Sequence, residues 1–499
     1  MSLHMKRTSL LFLLMVLYVM TACKDYLNLT PKGSKIVSNV EDVKAELLSY
    51  WSSSTYSSLP LTSYGNSSPL SLPFYNDINI QLAIYEDNMD MLAFKDHKDV
   101  NDGCMTYYYQ DVDWKGMSLA SSLWENCYIS IGFMNAILDD LDKVVATQAE
   151  IETIGGEARL IRAWNIFKLI QFFAPYKDDK LGIPLNLDSE NVTPSRRRTQ
   201  TEIYEIIERE LKEVLNYASP REQWNFFYSP DFIKSFLAEM YMFRAGSAAA
   251  QPTDWSMAEK YSGEVIEAYV PEDRVELLME MFSGENIANT IDHPFCALKL
   301  ATKRSFGIGN SFTGIWGSNN AQQVSTELWS LYEPEDIRKK AWFIEREEDG
   351  SVKRYISKPV VYVYGPVCDI LVLYRKADLF LINAEAKCHL DREMEAAEML
   401  ERFRTARIPG YSMPVDGDVL SEVLKERRLE MCFENGSRWL DMKRLGISCE
   451  RFGFDKENSG TMKYYLEADD YRYALPIPVD IELNYNNHIE QNPGWSNFN

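Results

Sequence analysis

Two clusters in this chain combine flat aromatic side chains with polar ones able to meet hydroxyl groups. The first is Tyr107-Tyr108-Tyr109 followed by Gln110, Asp111 and Trp114. The second is Trp316, set between Gly314 and Gly317 in the stretch from Gly307 to Gly317, with Asn310, Asn319, Asn320 and Gln322 nearby. An aromatic face covers the apolar side of a sugar ring, and Asn, Gln and Asp beside it satisfy the hydroxyls. Stacking and hydrogen bonding are therefore the chemistry these residue types support, with Tyr107, Tyr108, Trp114, Trp316, Asn319 and Asn320 as candidate contacts. For the tyrosines, packing in a core accounts for the same residues equally well, whereas the glycines and asparagines around Trp316 favour an exposed ring. Trp224 with Phe226, Phe227 and Tyr228 forms a third group, but it stands just before a helix N-cap and reads as a hydrophobic staple.

Motifs for covalent chemistry are missing from the sequence. The five histidines are too scattered for H-E-x-x-H, and neither G-x-x-x-x-G-K-S/T nor G-x-S-x-G occurs. Asp99-Val100-Asn101-Asp102-Gly103 has the opening of a calcium loop without the closing glutamate, so a plain turn is the expectation. No cofactor and no metal are implied. Carboxylate pairs abound in an acidic chain, so a glycosidase stays open as an alternative, although nothing singles out a pair.

Cys23 supports a different kind of chemistry. A basic pair, Lys6-Arg7, precedes an apolar run from Leu10 to Met20, and the small residues Thr21 and Ala22 lead into the cysteine. This is the layout of a secretory signal, and its apolar core is shorter than the roughly 20 residues needed to span a bilayer. The expectation is cleavage before Cys23, lipidation of its thiol, a signal over 1–22 and a mature chain over 23–499. Met5, directly before the basic pair, offers an alternative start to Met1.

The chain has 499 residues and a formal charge of −22, which disfavours nucleic acid as a partner because phosphate neutralisation needs clustered cations. Arg196-Arg197-Arg198 is the one dense basic run and reads as a solvated loop before a helix. Eight cysteines without any C-x-x-C pair imply no disulfide framework, and Cys127 and Cys388 read as small buried side chains in helices.

The elements that must position the candidate contacts are mostly helices. Trp124, Cys127, Ile131, Met134, Leu138 and Leu141 fall on one helix face, and the segment from Glu157 to Ala174 is apolar nearly all round, ending at Pro175. Thr199 and Glu202 offer a capping box for the next helix, Ser229-Pro230 starts another that Gly246 ends, and Asp254 is expected to cap a further one. Later helices are expected over Tyr374 to His389, Glu393 to Arg407 and Val419 to Phe433. Paired helices joined by turns suggest an irregular tetratricopeptide-like scaffold, mostly α with few short strands, though the 34-residue period is absent. Between the pairs, about 52–109 and 271–369 lack helical period and read as long loop insertions within a single domain.

Several ordered segments carry a resemblance. Cys23-Lys24-Asp25-Tyr26-Leu27, Gly156-Glu157-Ala158-Arg159 with Arg162-Ala163, and Arg375-Lys376-Ala377-Asp378 through Ala384-Glu385-Ala386 come first. Glu426-Arg427-Arg428-Leu429-Glu430 then leads to Glu434-Asn435-Gly436-Ser437-Arg438-Trp439-Leu440-Asp441, and the chain closes with Leu475-Pro476-Ile477-Pro478 and Gln491-Asn492-Pro493-Gly494-Trp495. Taken in order, they resemble the SusD/RagB family of Bacteroidetes outer-membrane lipoproteins. The resemblance implies a lipid-anchored protein facing the cell exterior that captures oligosaccharide and passes it to a SusC-like TonB-dependent transporter. Peptide or another nutrient is the alternative cargo. Since the family's ligand site lies in its variable loops, no binding residue is carried over. Read from the residues alone, the charges of Glu426 to Gly446 are structural, either as helix-face pairs such as Arg427 with Glu430 or as a buried network of Glu434, Arg438 and Asp441.

Overall fold

The computed structural model describes residues 37–55, 77–92, 111–114, 118–190, 196–218, 228–283, 296–300, 323–358, 369–412, 417–455, 460–486 and 489–495. Helices α1 (Val40–Thr55) and α2 (Asp77–Tyr85) precede a short strand β1 (Met89–Asp90), and α3 (Ser118–Lys143) begins the main scaffold. On α3 the six predicted apolar positions are all buried. A turn at Gln148–Glu150, closed by a Thr147/Glu150 capping box, runs through a π-helical turn (Ile151–Gly155) into α4 (Gly156–Phe173). Gly155-Gly156 is thus continuous helix. Gly156 is required there because a Cβ would lie 2.1 Å from the Tyr228 hydroxyl, which donates to the Glu152 carbonyl.

The following helices start where the caps predict. In α5 (Gln200–Leu215) the Thr199 hydroxyl accepts from the Glu202 N–H at 3.1 Å while Glu202 accepts from the Thr199 N–H at 2.8 Å. Ser229 caps α6 (Pro230–Ala245), and Gly246 closes it. Helix α7 (Asp254–Ile266) departs from expectation, since Asp254 is its first helical residue and Thr253 the N-cap. The reason is a buried cation: the Asp254 carboxylate accepts from Arg244 at 2.5 and 3.0 Å, and also from the Gln251 N–H.

The expected long loops contain elements. Along 271–369 lie α8 (Val275–Ser283), β2 (Cys296–Leu300), β3 (Gln323–Val324), α9 (Thr326–Leu331), α10 (Arg338–Trp342), β4 (Phe343–Glu348) and β5 (Ser351–Ile356), followed by β6 (Asp369–Tyr374). Strands β4 and β5 form an antiparallel hairpin turned at Asp349-Gly350, both with positive φ, as a two-residue hairpin demands. The sheet order is β1-β3-β5-β4, while β2 pairs with β6. Helices α11 (Lys376–His389), α12 (Glu393–Arg407), α13 (Val419–Met431) and α14 (Ser437–Leu445) complete the scaffold, and a hairpin of β7 (Cys449–Asp455) and β8 (Gly460–Leu466) follows.

Packing runs in sequence order, α3 on α4, α4 on α5, α5 on α6 and α6 on α7. Helix α7 packs on α11, which also receives α12 and α13. One continuous apolar cluster extends from Val43 to Trp495, and a small second one fills the space among α11, α12 and α13 with Ala384, Cys388, Ala396, Leu400 and Val423. Arg197 is not a solvated loop residue. It is buried and donates to the carbonyls of Leu181 and Gly182 and to Asn492 Oδ1, so it ties the C-terminal segment to the scaffold.

Candidate functional site

Trp114 is 1% exposed. Its indole N–H donates to the Arg472 carbonyl at 3.1 Å, and its ring meets Tyr85 of α2 and Trp439 of α14 edge-on, at centroid distances of 5.0 and 5.9 Å. Trp114 is therefore a core residue and not a sugar platform, which corrects the expectation. Residue type reveals only that a large apolar surface must be covered, and here two aromatic partners from distant helices cover it. Asp111 of the same cluster is different, with its side chain 51% exposed and its carboxylate 2.8 Å from Arg472 Nη1. Tyr107, Tyr108, Tyr109, Gln110, Asn310, Trp316, Asn319, Asn320, Gln322 and Cys23 lie outside the described residues.

The charges of α13 and α14 form buried ionic clusters with partners from other elements. Glu430 receives Arg375 at 2.8 Å, Arg407 at 3.0 Å and Arg338 at 3.2 Å. Glu434 pairs with Arg375 at 2.7 Å and Lys358 at 2.6 Å, and Glu426 with Arg338 and Arg404 at 2.7 and 2.8 Å. Arg427 reaches Asp378 and Asp441, not Glu430, so the expected local pair is replaced by tertiary ones. Both residues are buried, and each takes the partner that the neighbouring helix presents. Arg444 joins Asp441 to Glu385, and Arg438 clamps Asp87 at 2.6 Å.

The electrostatics follow from this pairing. Burial alone would raise the Glu430 carboxyl, but the guanidinium groups of Arg407, Arg375 and Arg338 outweigh it and hold the group well below the usual carboxylate range. Glu426 and Asp441 are likewise lowered against their burial. Carboxylates held ionised and saturated by arginine serve poorly as proton donors; their geometry is that of a strut between helices. Two carboxyls depart from this: burial raises Asp378 above its ordinary value against the pull of Arg427, and the other is Glu86. Burial, reinforced by neighbouring Asp87, pushes it up to about 8 despite Asn88, Arg438 and Arg428. Lys443, buried against the carbonyls of Gln171 and Ala174 at 2.7 and 2.9 Å, is pushed down to about 7 by desolvation. Among the described residues no group of three or more His, Cys, Asp or Glu is placed to hold a metal ion.

Comparison with known proteins places this architecture. Residues 368–495, which hold these ion pairs except for Arg338, Lys358 and Asp87, match the profile of the SusD family, and residues 71–228 match one described as starch-binding associating with outer membrane. The fold matches a SusD superfamily protein of Bacteroides vulgatus with a TM-score of 0.70 at 19% identity, covering 92% of this chain and 99% of that one. The chain belongs to the SusD/RagB family. A SusD-like carbohydrate binding protein from the same organism has the same fold, with a TM-score of 0.67 at 17% identity over 91% of this chain and 97% of that one. SusD-like protein P38 of Formosa agariphila is 37% identical over 119 residues, a stretch that covers 22% of this chain and only 23% of that relative.

In this SusD/RagB chain the motif segments serve the scaffold. Arg375, which caps α11, and Asp378 and Glu385 within it meet Arg427, Glu430, Glu434, Asp441 and Arg444 across helix boundaries, directly or through a shared partner. Asn492 accepts from Arg197 and donates to the Phe173 and Leu475 carbonyls, so the closing Gln491 to Trp495 segment is a structural latch. Among the described residues no helix is long and apolar enough to cross a membrane. Residue-type reasoning missed the half-exposed Phe452, Tyr465 and Tyr471. The alternation of exposed Glu450 and Phe452 with buried Cys449, Arg451 and Gly453 was the available signal.

Proposed function

We propose that this protein is a surface glycan-binding lipoprotein, tethered through Cys23 to the outer membrane, that captures oligosaccharide and hands it to a SusC-like TonB-dependent transporter without covalent chemistry. The observation that carries this reading is family membership together with the starch-binding, outer-membrane description of the profile matched by residues 71–228. The fold supports it physically. A scaffold braced by buried ion pairs presents connecting segments whose composition is free to set cargo, and binding residues concentrate on such loops. Tyr107, Tyr108, Trp316, Asn319 and Asn320 are the proposed contacts in those segments.

Calorimetric and array screening of the delipidated mature chain against oligosaccharides tests the reading. Saturable affinity without release of reducing ends is expected, and Trp316→Ala or Tyr108→Ala is expected to weaken it. Turnover of a polysaccharide would move the protein to the enzymes. Affinity purification from membranes is expected to bring down a TonB-dependent transporter, and recovery of the protein alone would remove the transport partner.

A further inference from the structure

The β7–β8 hairpin and the turn after it carry aromatic rings that the core leaves half uncovered. Its register puts Cys449 opposite Leu466 and Arg451 opposite Tyr464 on one face, and Glu450 opposite Tyr465 and Phe452 opposite Lys463 on the other. The first face is buried, while on the second Phe452 is 49% and Tyr465 42% exposed. Tyr471, which opens the 3-10 turn Tyr471–Tyr473, is 45% exposed. Its ring is nonetheless fixed. Trp495 meets it at a centroid distance of 5.0 Å and 75°, and Gly494 approaches so closely that a Cβ would lie 2.3 Å from the ring. The φ of +83° at Gly494 is open to glycine and strained for other residues.

Arg472, next to Tyr471 in the chain, connects the backbone of Tyr465 to Asp111. Its Nη2 donates to the Tyr465 carbonyl at 2.9 Å and to Asp470 at 2.8 Å, its Nε donates to Asp470 at 3.0 Å, and its Nη1 donates to Asp111 Oδ2 at 2.8 Å. The other Asp111 oxygen accepts the Val112 N–H at 2.8 Å. The Asp111 carboxylate is thus half exposed and held at both oxygens, with lone pairs left for further donors. A Tyr471 ring immobilised by packing and a fixed acceptor at Asp111 lose little conformational entropy when a ligand arrives.

We infer that Tyr465, Tyr471 and Asp111 form a saccharide subsite for neutral sugar units, an inference that rests on the glycan-binding reading above. The rings supply stacking faces, their phenolic hydroxyls can donate or accept, and Asp111 accepts from sugar hydroxyls. Neutrality follows from charge. Asp111, Asp470 and Glu450 and the overall charge of −22 oppose a carboxylated or sulfated ligand. Among the described residues, Arg472 and Lys463 beside these carboxylates are paired with Asp111 and Glu450 at 2.8 and 2.5 Å, and Asp470 is a second carboxylate on Arg472, so three acids face two bases.

The test uses the detergent-solubilised mature protein on an array of neutral oligosaccharides from glucans, mannans and xylans, beside anionic fragments of heparin and polygalacturonate. The tightest neutral binder is then titrated calorimetrically into wild type, Tyr465→Ala, Asp111→Asn and Tyr471→Ala. Neutral signals are expected, with each substitution weakening affinity about fivefold or more. Tyr465 and Asp111 are exposed, so unchanged thermal unfolding in those two variants separates lost contact from lost fold. Full affinity in both would overturn the subsite while leaving glycan binding in place. Preference for the anionic fragments would overturn the neutral assignment, and binding of no saccharide at all would remove the functional reading beneath it.

Discussion

Trp114 and Arg472 stand 358 positions apart in the chain, yet the indole N–H of the first donates to the carbonyl of the second at 3.1 Å. The bond fixes the segment 111–114 against the turn that follows β8, and it satisfies an indole that would otherwise be buried without a partner. Trp114→Ala is expected to destabilise the protein by about 3 to 5 kcal/mol, the range for emptying a tryptophan-sized site in a packed core. Urea unfolding measures it. A loss below about 1 kcal/mol would mean that Tyr85 and Trp439 do not enclose the ring as described.

Glu430 is the meeting point of Arg338, Arg375 and Arg407. Glu430→Gln keeps the shape and removes the charge, which leaves buried guanidinium groups without their shared counter-ion. Breaking a buried pair from one side costs about 3 to 5 kcal/mol. The expected result is a fall of that size in unfolding free energy. Glu422→Gln, which removes a partly exposed partner of Arg404, is expected to change stability by less than about 1 kcal/mol. Equal effects from the two substitutions would contradict the buried network.

The comparison of these two glutamates shows what local sequence can and cannot convey. Helix existence was legible because apolar spacing repeats within a segment, as on α3, and caps such as Thr199/Glu202 and Ser229-Pro230 are local chemistry. Partner choice was not, because Arg427 and Glu430 sit at helix-pair spacing yet reach Asp378, Asp441 and three arginines on other elements. Trp114 failed for the same reason, since exposure is decided by Tyr85 and Trp439, which are remote in sequence. The β4–β5 hairpin is a different miss. Asp349-Gly350 is a strong local turn signal between strand-like residues, but it lies in a long stretch, 271–369, without helical period. The candidate site was legible as a residue composition and not as a place.

Two glycines make opposite predictions. Around Gly132, in α3, nothing lies within 4 Å of a built Cβ, whereas at Gly156 the Tyr228 hydroxyl lies at 2.1 Å and Tyr217 at 2.7 Å. Gly132→Ala is expected to stabilise by about 0.5 to 1 kcal/mol through the restricted unfolded chain and improved helix propensity. Gly156→Ala is expected to destabilise by more than about 1 kcal/mol, because Tyr228 must leave the Glu152 carbonyl to make room. Thermal melts of the two variants should shift in opposite directions, and a stabilised Gly156→Ala protein would refute the close packing of Tyr228.

Glu86 gives stability a pH dependence whose sign is fixed by its surroundings. Desolvation and Asp87 push its carboxyl up to about 8 from the ordinary 4.5, while Asn88 donates to it at 3.0 Å. Between those two values the folded protein holds a proton that the unfolded chain releases. The contribution of this group is therefore fully present below about pH 4.5 and is lost as pH rises toward 8. Glu86→Gln keeps an acceptor for Asn88 and removes the titration. Relative to the variant, wild type should lose on the order of 2 to 4 kcal/mol between pH 5 and 8, because holding one extra proton costs up to about 1.4 kcal/mol for every step of one in pH. Urea unfolding of both proteins at several pH values isolates this difference, because the arginines that face the site, Arg428 and Arg438, stay charged throughout and cancel. A wild-type minus variant difference that is flat across the range, or that rises with pH, would show that Glu86 is ionised in the folded protein.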